Sequence, residues 1–331
     1  MKNKSFLLVL TLLLLVTVSP LAAFAPVGTV VGQFMEIGMG AKGAGMGEAY
    51  TTVASGAEAI FWNPAGVVDG GKNQLFLSQT QWPADMAFGG AALSMTLGNV
   101  GTFAISSIYL MTDDMEITSL DDPSGTGEYF SLSNYTLGLT YGRYLTDRVS
   151  IGVTGKLVRE EYMDHNYSAW SLDLGSIYRT NFHGLRLGMS IMNFGPEVRF
   201  SGEYIDYSDQ HSYLPDPQVP KKFQTYSLPV MFRFGTSINL LEKVNYRLTL
   251  AGDMIHPNNN VEQYNLGIEY SFRDMASLRG GYKFAADEGG LTVGAGIRIP
   301  VKGWTTLCID YAYSDLGMLT NSHRFSLGLS F

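Results

Sequence analysis

Tyr135-Thr136-Leu137-Gly138-Leu139-Thr140-Tyr141-Gly142-Arg143 sorts into two faces. Tyr135, Leu137, Leu139 and Tyr141 share one; Thr136, Gly138, Thr140 and Gly142 share the other. Successive side chains of a strand point to opposite sides, so this alternation predicts a strand with one apolar and one polar face. The pattern recurs in Val149, Ile151 and Val153 against Ser150, Gly152, Thr154 and Lys156. It recurs again in Leu291, Val293, Ala295, Ile297 and Ile299 against Thr292, Gly294, Gly296 and Arg298. The chain ends on Phe325, Leu327, Leu329 and Phe331, opposite Ser326, Gly328 and Ser330.

Fourteen such segments follow residue 72: about 73–80, 86–97, 100–110, 133–143, 148–158, 168–179, 184–194, 226–238, 245–255, 261–272, 276–285, 290–299, 304–313 and 323–331. Most have the roughly 9–11 residues that a tilted strand needs to cross a bilayer. The number is even, as bacterial outer-membrane barrels require. A soluble sandwich or propeller also has alternating strands, but hides its apolar faces and shows an ordinary surface. Here the polar faces are rich in Gly, Ser and Thr, with Lys156, Asp173, Arg186, Arg247, Asp253, Glu269, Arg279, Lys283, Arg298 and Asp310 scattered among them. Small and charged residues together suit a wet, crowded lumen. The expected fold is all-β: a 14-stranded antiparallel transmembrane β-barrel over 73–331.

Connection lengths follow a parity. Those after even strands are tight: Gly98-Asn99, then 144–147, 180–183, 239–244, 273–275 and 300–303. Every long one follows an odd strand: 111–132, 159–167, 195–225 and 314–322, with shorter ones at 81–85, 256–260 and 286–289. In such barrels the short turns are periplasmic. With both chain ends on that side, the long connections are extracellular. The two longest are acidic and aromatic: Asp113, Asp114, Glu116, Asp121, Asp122 and Glu128 in one; Glu203, Tyr204, Asp206, Tyr207, Asp209, Tyr213 and Asp216 in the other. They read either as solvated loops or as a docking surface, where tyrosine is favoured.

Residues 1–25 read as a secretory signal peptide: Lys2 and Lys4, an apolar run from Phe6 to Val18, Pro20, and the small-residue site Ala23-Phe24-Ala25. Pro26 after Ala25 leaves cleavage after Ala23 as the alternative. No later run reaches the ~18 apolar residues of a spanning helix. A net charge of -8 argues against nucleic acid as a partner. Cys308 is the single cysteine, so no internal disulfide forms. Gly38-Met39-Gly40-Ala41-Lys42-Gly43 fits G-x-G-x-x-G literally but lacks the strand–helix setting that pattern needs. The five histidines lie in or beside separate loops without metal-ligand spacing, and no nucleophile motif or EF-hand is present. No enzyme activity, cofactor or metal is expected.

Ahead of the strands, Gly40 to Gly66 reads GAKGAGMGEAYTTVASGAEAIFWNPAG. Ala41 to Ala54 is small enough for a thin helix, with Met46, Ala49, Tyr50 and Val53 at helical spacing. Ser55-Gly56 breaks it, Ala57–Trp62 makes another turn, and Asn63 closes a turn before Pro64. Residues 26–72 therefore read as a small helical hatch inside the lumen.

Gly45-Met46-Gly47-Glu48-Ala49-Tyr50 and Ala57-Glu58-Ala59-Ile60-Phe61-Trp62-Asn63-Pro64-Ala65-Gly66 resemble the N-terminal segment of FadL-like outer-membrane proteins, nearest to their PorV/PorQ branch. The resemblance covers 26–72, with Asn63-Pro64-Ala65 its most specific part. Ser55-Gly56 departs from it, because relatives often carry acids there. It implies a 14-stranded barrel in the bacterial outer membrane, with both termini periplasmic. Outer-membrane lipids surround it, and Phe325, Leu327, Leu329 and Phe331 look like the signal read by the barrel-insertion machinery. Two functions are implied. PorV-type members bind exported proteins and pass them to the cell surface in type IX secretion. FadL-type members move hydrophobic compounds, long-chain fatty acids among them, past a shifting hatch and out through a break in the wall. The long acidic loops tip the sequence reading to a PorV/PorQ-type shuttle of secreted cargo, with the transporter of hydrophobic small molecules as alternative. A transporter needs an apolar pocket, for which Trp62, Phe88 and Met192 are candidates, and a strand defect, for which Gly89, Gly90 and Pro229 are candidates.

Overall fold

The computed structural model describes residues 27–83, 85–118, 122–204, 220–284, 289–301 and 305–331. The expected signal peptide and most of the acidic residues of the longest connection lie outside them. Fourteen antiparallel strands close into one barrel. They are β1 (Gln74–Trp82), β2 (Met86–Thr96), β3 (Thr102–Met111), β4 (Leu132–Thr146), β5 (Val149–Tyr162), β6 (His165–Arg179), β7 (Arg186–Phe194), β8 (Met231–Lys243), β9 (Tyr246–Pro257), β10 (Gln263–Phe272), β11 (Ala276–Phe284), β12 (Leu291–Pro300), β13 (Thr306–Asp315) and β14 (Asn321–Ser330). Each pairs with its sequence neighbour, and β1 pairs with β14 from Gln74–Ser330 to Gln81–His323. Closure leaves no unpaired edge, the condition for sheet to stand in hydrocarbon.

The alternation sorts as expected. Leu139, Leu157 and Leu278 are 63%, 65% and 64% exposed, whereas Thr140 and Thr154 are fully buried and bond each other at 2.8 Å. Large apolar side chains thus stand outward all round the wall, and small polar ones line the inside. No helix among the described residues is long and apolar enough to cross a membrane. The outward belt is the surface that requires lipid. Phe325, Leu327 and Phe331 belong to it, and Leu329 pairs with Leu75 across the seam, where the Phe331 N–H bonds the Asn73 carbonyl at 2.9 Å.

Strand ends differ from the sequence reading by up to five residues, and three differences bear on the site. The period of two predicts β8 over 226–238; the strand runs from Met231 to Lys243. Pro229 has no N–H to give a ladder, and Tyr226 and Ser227 are engaged elsewhere: Tyr226 pairs with Val198, and Ser227 accepts from Val31 N at 3.2 Å. The stretch 159–167 is not a long loop. β5 and β6 continue to a two-residue turn at Met163-Asp164, with Met163 at φ 51°. Third, the helix expected over 41–54 stops early. Only Ala41–Gly45 (α1) is α-helical, because Gly47 and Glu48 both adopt left-handed φ, 62° and 63°. Three 3-10 turns complete the hatch: Gln33–Glu36, Gly56–Phe61 and Pro64–Gly70.

The two connections that remain long, 112–131 and 195–230, share one end of the barrel. The hatch enters from that same end. Val30 bridges to Ser227, and the Gly32 N–H reaches Glu160 near the long-loop tip of β5. Residues 30–32 therefore sit at the long-loop end, whereas Phe331 sits at the tight-turn end. From there the segment runs down the lumen before β1 begins; the start of the chain lies outside the described residues.

Candidate functional site: the hatch and the lumen

Asn63-Pro64-Ala65-Gly66 is pressed against β5, β6 and β7. Asn63 caps its own 3-10 turn by accepting from Ala65 N at 3.1 Å. Its Nδ2 donates to the Ser176 carbonyl at 3.1 Å. From the wall, Ser190 Oγ donates to Trp62 O and Ser150 Oγ to Ala65 O, both at 3.0 Å. The wall has room because residues 152, 175 and 188 are glycine; a Cβ at 152 would overlap the Pro64 carbonyl, and one at 175 the Asn63 side chain. On the far side, Gly45 lies against Gly294, and Met46-Gly47 against Gly267 and Gly281. The expected hatch residues thus form two footings on opposite walls.

Charge pairs tie the footings down. Glu48 meets Lys283 at 2.6 Å and Arg324 at 4.0 Å. Lys42 meets Glu58 at 3.3 Å and Asp310 at 3.8 Å, and Asp310 is bridged to Glu269 through Arg279. Asp69 takes Arg179 at 2.6 Å and Arg186 at 3.5 Å. Asp253 Oδ2 accepts from the N–H groups of Tyr50 and Thr51 at 2.9 and 2.8 Å. Glu48, Glu58 and Asp69 are the hatch acids in these pairs. Burial opposes the charge on Glu48, but Lys283 and Arg324 outweigh it and hold the carboxyl down at about 2. Burial prevails at Glu58 and raises its carboxyl despite Lys42.

The lumen is divided by polarity. Along β1 to β6 runs one continuous apolar cluster. At the long-loop end it starts with Trp82, Met86, Leu132 and Phe200; Phe34, Phe88 and Ile108 continue it. It ends on the hatch at Ile60, Val67 and Val68, and Val67 lies where a Cβ on Gly142 would stand. Across the hatch, Glu36, Glu48, Arg233 and Asn259 border a polar cavity of 100 Å³. Arg233 is 3% exposed, sits 5.1 Å over the Trp62 ring, and keeps two nitrogens without a hydrogen-bond partner. Burial raises the Glu36 carboxyl beside it.

Of the pocket candidates, Phe88 lines the apolar column, whereas Trp62 belongs to the hatch's own core and Met192 to a small cluster with Met231 and Ile255. They are not brought together. Nor is there a wall break at Gly89-Gly90. Both pair in register with β1 and β3, and lack side chains because Tyr109 covers Gly89 and the Met39 methyl fills the space at Gly90. The irregularity lies beside Pro229 instead. β7 shifts register opposite Leu172–Leu174, with Asn193 at φ 62°. Asn193 accepts from Lys156, donates its N–H to Asp173 at 2.7 Å and its Nδ2 to the Pro229 carbonyl at 3.1 Å; Lys156 and Asp173 pair at 2.7 Å. These charges were legible as lumen-facing, but Glu160, Arg179, Arg233 and Arg324 were not singled out. Their alternation with outward neighbours was the available signal.

Solved structures share this architecture. A Pseudomonas aeruginosa FadL homologue matches over 88% of this chain and 98% of its own, at 12% identity and TM-score 0.57. The Ralstonia pickettii toluene transporter TbuX matches over 88% and 97%, at 13% identity and TM-score 0.55. The CymD monoaromatic hydrocarbon channel matches over 89% and 98%, at 12% identity and TM-score 0.58. At such identities the likeness is one of fold. No protein-family model matches the sequence, and no curated protein matches it.

Proposed function

We propose that this barrel passes small hydrophobic molecules across the bacterial outer membrane, with the hatch as its gate. The observation that carries the reading is the continuous apolar column from Trp82, Leu132 and Phe200 to Ile60 and Val67, the largest apolar cluster among the described residues. An apolar solute gains by leaving water for such a lining, and the Asn63 footing blocks its way at the tight-turn end. The fold neighbours described as a toluene transporter and a monoaromatic hydrocarbon channel support the same reading. The PorV/PorQ-type shuttle draws no support from them, and rests on the hatch-motif resemblance and the composition of the long loops. The outer membrane as location, and the long connections as the outward end, belong to this proposal.

The test is toluene entry into proteoliposomes holding the purified barrel. Ile108→Asp places a charge in the column and is expected to abolish entry, while Ile108→Val leaves it near the parent rate. Equal entry through the parent and Ile108→Asp overturns the reading.

A further inference from the structure

On the outer face, a groove of 370 Å³ crosses β10 to β13 near the tight-turn end. Cross-strand register explains it. One row runs Phe272–Ala276–Ile297, and the next Tyr270–Leu278–Ala295–Tyr311. In each row one alanine stands among large side chains. The two alanines are diagonal neighbours, so their gaps merge into one channel slanting from the rim into the apolar belt. The rim supplies charge. The Arg273 guanidinium lies 5.2 Å over the Phe272 ring. Lys243 Nζ lies 5.5 Å over Tyr246, which stacks on Tyr270 at 6.5 Å. Both cations thus sit on rings of the groove's bank or the next one to it. Of the nearby carboxylates, Asp274 pairs with Arg247 at 3.2 Å, and Glu242 is paired in register with Arg247, on the alternate face from Lys243 and Tyr246.

We propose that this groove seats one phospholipid with an anionic headgroup, its acyl chain over Ala276 and Ala295 and its phosphate between Lys243 and Arg273. The outer belt must be covered by lipid, so an acyl chain meets the groove in any case. Two cations at headgroup level then favour an anionic lipid over a zwitterionic one. A second copy of the chain is the weaker occupant, because a two-fold contact through this face would set the same cations against each other.

The test is native mass spectrometry of the full barrel, released gently from nanodiscs holding equal phosphatidylglycerol and phosphatidylcholine. The parent is expected to retain one phosphatidylglycerol. Lys243→Glu with Arg273→Glu lowers that retention roughly tenfold. Ala295→Trp fills the channel and lowers it for either lipid, with Ala276→Leu as a milder variant should tryptophan disturb folding. Heat-modifiable migration in gels checks that each variant is folded. Retention of both lipids equally, or retention unchanged in the variants, means ordinary surrounding lipid only and overturns the proposal. Toluene entry stays at the parent rate in all these variants, so this result stands apart from the lumen test.

Discussion

Asn63 donates to the Ser176 carbonyl at 3.1 Å, across a gap that exists only because residue 175 is glycine. A Cβ at 175 would overlap Asn63 Oδ1 and stand 2.9 Å from Pro64 Cδ. The barrel wall cannot retreat, since β6 is paired on both sides. The hatch must therefore yield. Gly175→Ala is expected to lift this footing while leaving the barrel folded, at a cost of about 2 kcal/mol from overpacking. Ion current through single barrels in planar bilayers should rise above the parent's. An unchanged current would show that the Asn63 footing does not seal the lumen.

Glu48 and Glu58 are both buried hatch acids, yet their removal is expected to differ. Glu48 stands between Lys283 and Arg324, so Glu48→Gln leaves two cations facing each other without a countercharge. Breaking a buried pair from one side costs about 3–5 kcal/mol. At Glu58 burial already pushes the carboxyl toward its neutral form, and Lys42 keeps Asp310 at 3.8 Å if Glu58 is lost. Glu58→Gln should cost clearly less. Urea unfolding in detergent micelles compares them; equal losses would contradict the assignment of Glu48 as the stronger anchor.

The same site sets an acid limit. The Glu48 carboxyl is held at about 2, below its ordinary 4.5. A depressed carboxyl stabilises the fold fully above its ordinary value, and that contribution is lost as pH falls toward the folded value. Hatch anchoring should therefore be constant from neutral pH down to about 5 and weaken between about 4.5 and about 2. Glu48→Gln should flatten that part of the unfolding profile. A variant with the parent's acid slope would assign the slope to other carboxylates.

Much of this architecture was legible because a lipid-facing strand has one requirement, repeated. Leu139 must face hydrocarbon and Thr140 must fit the lumen, so the period of two survives in the sequence. The hatch footings were legible as a motif but not as a mechanism. Gly152, Gly175 and Gly188 read as ordinary small residues of a polar face; only the register shows that they stand under residues 63–65 or beside them. Charges behaved likewise. Arg279 and Asp310 are 31 residues apart in sequence and 2.8 Å apart in space. Gly89-Gly90 misled because a glycine pair signals a strand defect only when nothing occupies the vacated space. Here Tyr109 and Met39 do. The apparent loop at 159–167 misled because Glu160 and Tyr167 look like solvated loop residues, whereas both turn inward to hold the N-terminal segment.

That inward turn makes the last prediction. Glu160 Oε2 accepts from Gly32 N and from Tyr167 Oη, each at 2.8 Å. With the bond from Val31 N to Ser227 O, it fixes residues 30–32 at the long-loop end, directly before Phe34 enters the apolar column. Glu160→Ala removes both bonds at once, whereas Tyr167→Phe removes one, worth about 1 kcal/mol. If the segment closes the column from above, Glu160→Ala should speed toluene entry and expose the chain near Gly32 to protease. Tyr167→Phe should do both more weakly. Protease exposure without faster entry would mean that the segment is held by Glu160 but closes nothing.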